Sequence, residues 1–190
     1  MPDRPSSPRR SSDARILRPK AICRWSQPVP RRRSTRPSPV FEAIERQTFR
    51  VSETPHAANL VKLSGNFLIA TVIESLGEAV ALVSKDRIDP NKYLEILTST
   101  LFGAPVYKTY GTLVAEQKFE PAGFVAPLGE KDIRLALAAA EKLEVPLPIA
   151  SLLRDRFLRL MANGGHELDW SAFSQLAIED AALKTASSDG

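Results

Sequence analysis

Lys62 and Asn66 stand four residues apart near the start of a long apolar segment, so on a helix they share one face. Most of their helical neighbours are apolar, which makes the two polar groups conspicuous. An ammonium beside an amide suits a substrate that carries a carbonyl or hydroxyl next to a carboxylate. The lysine can donate a proton or hydrogen bond to that oxygen as hydride arrives, and the asparagine can fix its orientation. The same spacing also fits a lysine snorkelling along an apolar surface beside a helix-surface asparagine, and spacing alone favours that second reading.

Other polar groups are weaker signals. Lys131-Asp132 lies early in a second helical segment, where Asp132 complements the positive helix start and can pair with neighbours of Lys131 or with Arg134. A lysine there is equally placed to meet a phosphate. Glu74 and Glu78 have the i, i+4 spacing of paired carboxylates, but no further metal ligand stands at suitable spacing, so they read as surface acids. Arg154-Asp155-Arg156 reads as a solvated, self-paired face. Gly103, Gly111 and Gly123 are isolated and form no phosphate-cradling pattern. Cys23 is the only cysteine, and His56 and His166 are far apart, so neither a thiolate metal site nor a zinc site is expected.

The elements that must position these residues are helical. Leu60, Leu63, Phe67, Ala70, Ile73, Leu76, Val80 and Val83 recur at three- and four-residue steps and predict one long helix from Ala57 to Ser84. Asp89-Pro90 supplies an N-cap and a first-turn proline for a helix through Leu97. A third helix covers Pro105–Glu116, followed by a break at Phe119–Gly123. The fourth covers Pro127–Leu143, with Ile133, Leu135, Leu137 and Ala140 inside. The fifth covers Pro148–Ala162, closed by a left-handed stop at Asn163-Gly164-Gly165. Asp169 caps a sixth, Trp170–Leu183. Six helices without a convincing strand pair predict an all-α domain over residues 56–184, with a short tail at 185–190.

Residues 1–38 have a different texture. Residues 1–40 hold eight Pro, seven Ser and eleven Lys/Arg against two acids, a net of +9, while the remaining 150 residues carry 15 bases and 20 acids, a net of −5. The basic isoelectric point therefore belongs to the arm, and a nucleic-acid reading of the folded part is disfavoured. With few, unpatterned apolar residues the arm is expected to be disordered. Val40–Ile44 reads as a helical turn and Gln47–Val51 as a short strand. No unbroken apolar run approaches the ~20 residues of a membrane span, and no secretory leader is evident. A cytoplasmic location is the expectation.

Several stretches together resemble one family. Ala58–Phe67 resembles the Lys-x-x-x-Asn motif of the β-hydroxyacid dehydrogenases, which include 3-hydroxyisobutyrate dehydrogenase and glyoxylate/succinic semialdehyde reductases. Leu128-Gly129-Glu130-Lys131-Asp132 resembles that family's later Lys-Asp motif. Tyr107–Gly111, Pro146-Leu147-Pro148 and Leu168–Ala172 are similar to stretches of its bacterial members, in the same order. The resemblance runs from about Pro39 to Leu183.

The resemblance implies an all-α C-terminal domain built on one long helix, of the type also found at the C-terminus of 6-phosphogluconate dehydrogenase. It implies a catalytic Lys62, a substrate-orienting Asn66, a Lys131 near the cofactor, NAD or NADP as that cofactor, a small hydroxyacid or aldehyde substrate, and a homodimer paired through the helical domain. His56, Ala57 and Ala58 stand where the family places glycines, and Glu130 stands where an apolar residue is common. The family's N-terminal cofactor domain would bring a G-x-G-x-x-G turn opening a helix. No such turn occurs in these 190 residues, and residues 39–55 resemble only that domain's last fragment. The chain by itself is therefore expected to be inactive. The alternative is a non-catalytic module that pairs with a cofactor-binding partner or paralogue. A Pro/Arg/Ser-rich stretch running straight into the match is what an upstream frameshift or misplaced start would produce.

Overall fold

The computed structural model describes residues 55–183. The expectations for the arm, for Val40–Ile44, for Gln47–Val51 and for the last seven residues lie outside that span. Within it the order is α1 (Pro55–Lys85), α2 (Pro90–Thr98), α3 (Pro105–Glu116), α4 (Ala126–Lys142), α5 (Pro148–Ala162), a 3-10 turn (Trp170–Ser174) and α6 (Gln175–Asp180). The described residues form no ladder, only an isolated antiparallel bridge between Val125 and Asp169. The domain is all-α.

Local chemistry accounts for the boundaries. Helices α2 to α5 each carry a proline in the first turn, where its missing N–H costs nothing. Asp89 caps α2 by accepting from the Asn91 N–H at 3.0 Å. Gly164, with φ +88°, supplies the left-handed stop after α5. The predicted last helix divides: Trp170–Ser174 winds as a 3-10 turn before α6, which stops at Asp180. All five residues of that turn are buried. A stretch enclosed on every side has no solvent face to impose a 3.6-residue period, and the Ser174 hydroxyl donates to the Ser171 carbonyl at 2.7 Å.

Helix α1 is the axle. At 31 residues it runs about 46 Å and touches every other element. Ala70, Ile73, Leu76 and Val80 form its buried stripe, as the periodicity predicts, whereas Leu60 lies at the rim. On α4, Ile133 and Ala140 are buried, but Leu135, expected inside, is 40% exposed. By length and composition alone α1 could cross a bilayer, because its scattered polar residues interrupt the apolar run while its mean hydropathy stays high. Its long stretch of small and aliphatic residues serves here as the centre of a helical bundle.

Aromatic side chains fill the space between α1, α3, α4 and α5. Trp170 is fully buried and meets Phe124 edge-on at 5.1 Å, Tyr110 edge-on at 5.9 Å, and Phe157, stacked, at 6.5 Å. Two glycines let backbones close in on the 3-10 turn. A Cβ at Gly77 would lie 2.8 Å from Ser174 Cβ, and one at Gly129 would lie 2.7 Å from Trp170 Cε3. Gly129 thereby brings α4 flush against the tryptophan, one turn before Asp132.

Candidate active site

In the first half of α1, Lys62 and Asn66 lie one turn apart, and α4 runs past that face. Lys62 Nζ donates to Asp132 Oδ2 at 2.8 Å, and Asn66 Nδ2 donates to the same oxygen at 2.6 Å. One carboxylate oxygen thus gathers both residues singled out in the sequence. Asp132 and Asn66 are almost completely buried, while the Lys62 side chain keeps 35% of its surface exposed. The arrangement is a cation open to solvent, held from behind by a buried anion and a buried amide.

This geometry removes the simpler readings. Asn66, at 2% exposure, is no helix-surface asparagine. Asp132 pairs with neither a neighbour of Lys131 nor Arg134. Arg134 reaches back to Glu130 at 3.5 Å, and the burial of Asp132 against α1 explains why the carboxylate turns inward. Lys131, one residue before it, is exposed and forms no ion pair with a described residue. The structure therefore brings Lys62, Asn66 and Asp132 together and leaves Lys131 on the adjoining surface.

A second polar cluster sits further along α1. Glu74 is buried rather than a surface acid, and its Oε1 accepts from Arg156 Nε at 2.7 Å. Arg156 does not pair within its own run. It also donates to Asp180 at 2.6 Å, tying α1, α5 and α6 together, while Arg154 and Asp155 do pair locally. Glu74 Oε2 is buried without a hydrogen-bond partner. Burial pushes the Glu74 carboxyl above its ordinary value, against the opposing pull of Arg156. Glu78, one turn on, is exposed.

His56 and His166 are both exposed, and no group of three metal-ligating side chains occurs among the described residues. Tyr110 is held neutral, its hydroxyl pushed up to about 12 chiefly by burial. Asp132 and Arg156 were invisible as partners in the sequence because each pairs across more than sixty positions. The sequence signals for Asp132 are its place beside Lys131 in the second motif and near a helix start, and neither names Lys62 or Asn66 as its partner.

Comparison with known proteins agrees with the fold and the motifs. Residues 57–177 match the family described as NAD-binding of NADP-dependent 3-hydroxyisobutyrate dehydrogenase. An uncharacterized oxidoreductase, YfjR, of Bacillus subtilis is 44% identical over 134 residues, 70% of this chain and 46% of that protein. The 2-hydroxy-3-oxopropionate reductase of Escherichia coli is 29% identical over 140 residues, 74% of this chain and 47% of that protein. A solved 3-hydroxyisobutyrate dehydrogenase from Salmonella typhimurium superposes with a TM-score of 0.67 at 25% identity, covering 73% of this chain and 48% of that one. The chain spans about half the length of the curated relatives it matches. With the helical fold, the motif order and the matched span in agreement, the chain belongs to the 3-hydroxyisobutyrate dehydrogenase family of NAD(P)-linked oxidoreductases.

Proposed function

We propose that this domain supplies the substrate-holding, acid/base half of an NAD(P)-dependent oxidoreductase that interconverts small β-hydroxyacids with aldehydes or keto acids. The observation that carries the reading is the convergence of Lys62 and Asn66 on one oxygen of Asp132, with the lysine alone left open to solvent. Lys62 holds a proton at Nζ and transfers it to the substrate oxygen during reduction, or receives it during oxidation. Asp132 fixes the direction of that ammonium and balances its charge, so that Nζ does not wander along its four-carbon stem. Asn66 spends its N–H₂ on Asp132, which leaves its carbonyl oxygen to accept from a substrate hydroxyl.

The nicotinamide cofactor, when bound, gives or takes the hydride. The described residues fit its reactive end better than its phosphates. Lys62 offers an open cation at the chemistry, and exposed Lys131 on α4 suits a cofactor phosphate or ribose oxygen, but no described strand–glycine turn–helix unit cradles a pyrophosphate. The exposed apolar residues Leu68 and Leu82 on α1, with Ile149 and Leu152 on α5, give a homodimer a surface to use. Light scattering at twice the chain mass would support that pairing, and a monomer at high concentration would exclude it.

The test is reconstitution. The 190-residue chain alone should show negligible turnover of NADH or NADPH with glyoxylate or succinic semialdehyde. A chimera carrying the N-terminal half of the Bacillus subtilis relative ahead of residue 57 should reduce at least one of them. Robust turnover by the unmodified chain would contradict the half-enzyme reading, and a folded, cofactor-binding but inert chimera would contradict the assignment of the site.

A further inference from the structure

We propose that Asp169, which touches neither Lys62 nor Asn66, is a positioning residue for the acid/base pair, acting through the segment that launches α4. The proposal rests on the reading of Lys62 and Asp132 as the working pair.

Asp169 is 4% exposed, and both oxygens of its carboxylate are doubly engaged. Oδ1 accepts from the Ser171 N–H at 3.0 Å and the Ser171 hydroxyl at 2.6 Å. Oδ2 accepts from the backbone N–H groups of Gly123 and Phe124 at 2.9 and 3.0 Å. Backbone bonds extend the same seam. The Asp169 N–H donates to the Phe119 carbonyl, Trp170 to Phe124 and Ala126 to Leu168, at 3.0, 2.7 and 3.0 Å. The loop from Phe119 to Ala126 is thereby stitched to the chain leading into the 3-10 turn.

That loop ends at the first residue of α4. The N-cap of α4 is Val125, which offers no side-chain hydrogen bond to the helix start. What fixes where α4 begins is therefore the seam across Asp169, in place of a local cap. Immediately after the clamp comes Trp170, against which Gly129 packs in the first turns of α4. Asp132 follows three residues later and meets α1 at 2.6 and 2.8 Å. A slip of one residue at the helix start would move that carboxylate by about 1.5 Å along the axis and rotate it by about 100°, which breaks both bonds. The isosteric Asp169→Asn change suffices to disturb the seam. Three of the four partners are backbone N–H donors, so an amide must turn its own N–H₂ toward at least one of them; only the Ser171 hydroxyl can rotate to accept.

A purely structural Asp169 would affect stability alone, so the readout is the reactivity of the Lys62 amine. Trace acylation of the folded 190-residue chain, quantified at Lys62 against exposed Lys108, reads how firmly Asp132 holds the ammonium. Asp132→Asn should raise Lys62 labelling about three- to tenfold, the range of a charge-assisted hydrogen bond partly screened by solvent. Asp169→Asn should raise it about two- to threefold with helical content unchanged, a fraction of the same interaction. Glu74→Gln, which weakens a different part of the core, should leave it at the parent level. If Asp132→Asn has no effect, the reading of the site fails. If Asp132→Asn acts and Asp169→Asn does not, the positioning role is overturned while the site stands. Should Asp169→Asn not fold, Gly129→Ala tests the same route, because its Cβ must push α4 off Trp170. Unchanged Lys62 labelling in that variant would overturn the proposal.

Discussion

Two polar clusters hang on the same helix, twelve residues apart, and they are built for different ends. At Lys62 the cation is the exposed member and the carboxylate is buried behind it. At Glu74 both members are enclosed: side-chain exposure is 6% for the glutamate and 18% for Arg156, and one glutamate oxygen has no partner at all. An enclosed pair can lock three helices but offers nothing to a substrate. An open cation with a buried counter-ion stabilises little yet presents a directed proton. On the proposed function, exposure of the cation, more than the presence of an ion pair, separates chemistry from scaffolding on α1.

The comparison predicts opposite balances of stability and activity. Glu74→Ala should be the most damaging change, costing about 3 kcal/mol, because it strands a largely buried guanidinium; the remaining Asp180 partner keeps the cost at the low end. Replacing both partners, Glu74→Leu with Arg156→Met, should return stability to within about 1 kcal/mol of the parent, since a buried pair and a packed apolar pair are often equivalent. Urea unfolding of the two variants measures both. A double variant as unstable as the single one would show that the pair does more than lock helices.

Lys62→Met should cost about 1–2 kcal/mol in the same assay: it leaves the buried Asp132 carboxylate without its cation, but the Asn66 amide still donates to it and the lysine's own charge is solvent-screened. A loss as large as that of Glu74→Ala would erase the distinction between the clusters.

The smallest expected effect is a pH slope. Glu74 binds its proton more tightly in the folded state than in the unfolded chain, where its value is ordinary at 4.5. Its contribution to stability is therefore complete below 4.5 and is lost as pH rises through the raised folded value. Asp180, whose carboxyl is lowered by Arg156 and Arg159, behaves in the opposite sense and only below 3.8. In the window just above 4.5, the stability difference between parent and Glu74→Gln should shrink as pH rises. A flat difference would show that Glu74 does not carry the effect.

Much of the fold was legible from the sequence because its signals are local. The steps from Leu60 to Val83 mark α1, Asp89-Pro90 marks the start of α2, and Gly164 marks the end of α5. The misjudged stretch, Trp170–Ser174, is enclosed all round and so carries no amphipathic period. The site was half legible. Lys62 and Asn66 are conspicuous on an apolar helix, but their spacing alone favours a surface pair, and it is the family motif that singles them out. Their common acceptor lies 66 residues beyond Asn66, and the clamp of Asp169 on Gly123 bridges 46. Charge type and spacing do not encode such pairings; packing does. Glu74 shows the same limit from the other side. Its i, i+4 partner Glu78 suggested a surface pair, yet the two point into different environments, and only Arg156, 82 residues away, explains the buried one.

The most direct test of the account is the turnover of the reconstituted chimera with and without Lys62. Lys62→Met should lower kcat by about 10²- to 10⁴-fold, the range of a positioned acid/base group, while the variant stays folded and loses less stability than Glu74→Ala. A Lys62→Met chimera that keeps its kcat would contradict the assignment of Lys62 as the proton donor and, with it, the view that the open cluster on α1 is the chemical one.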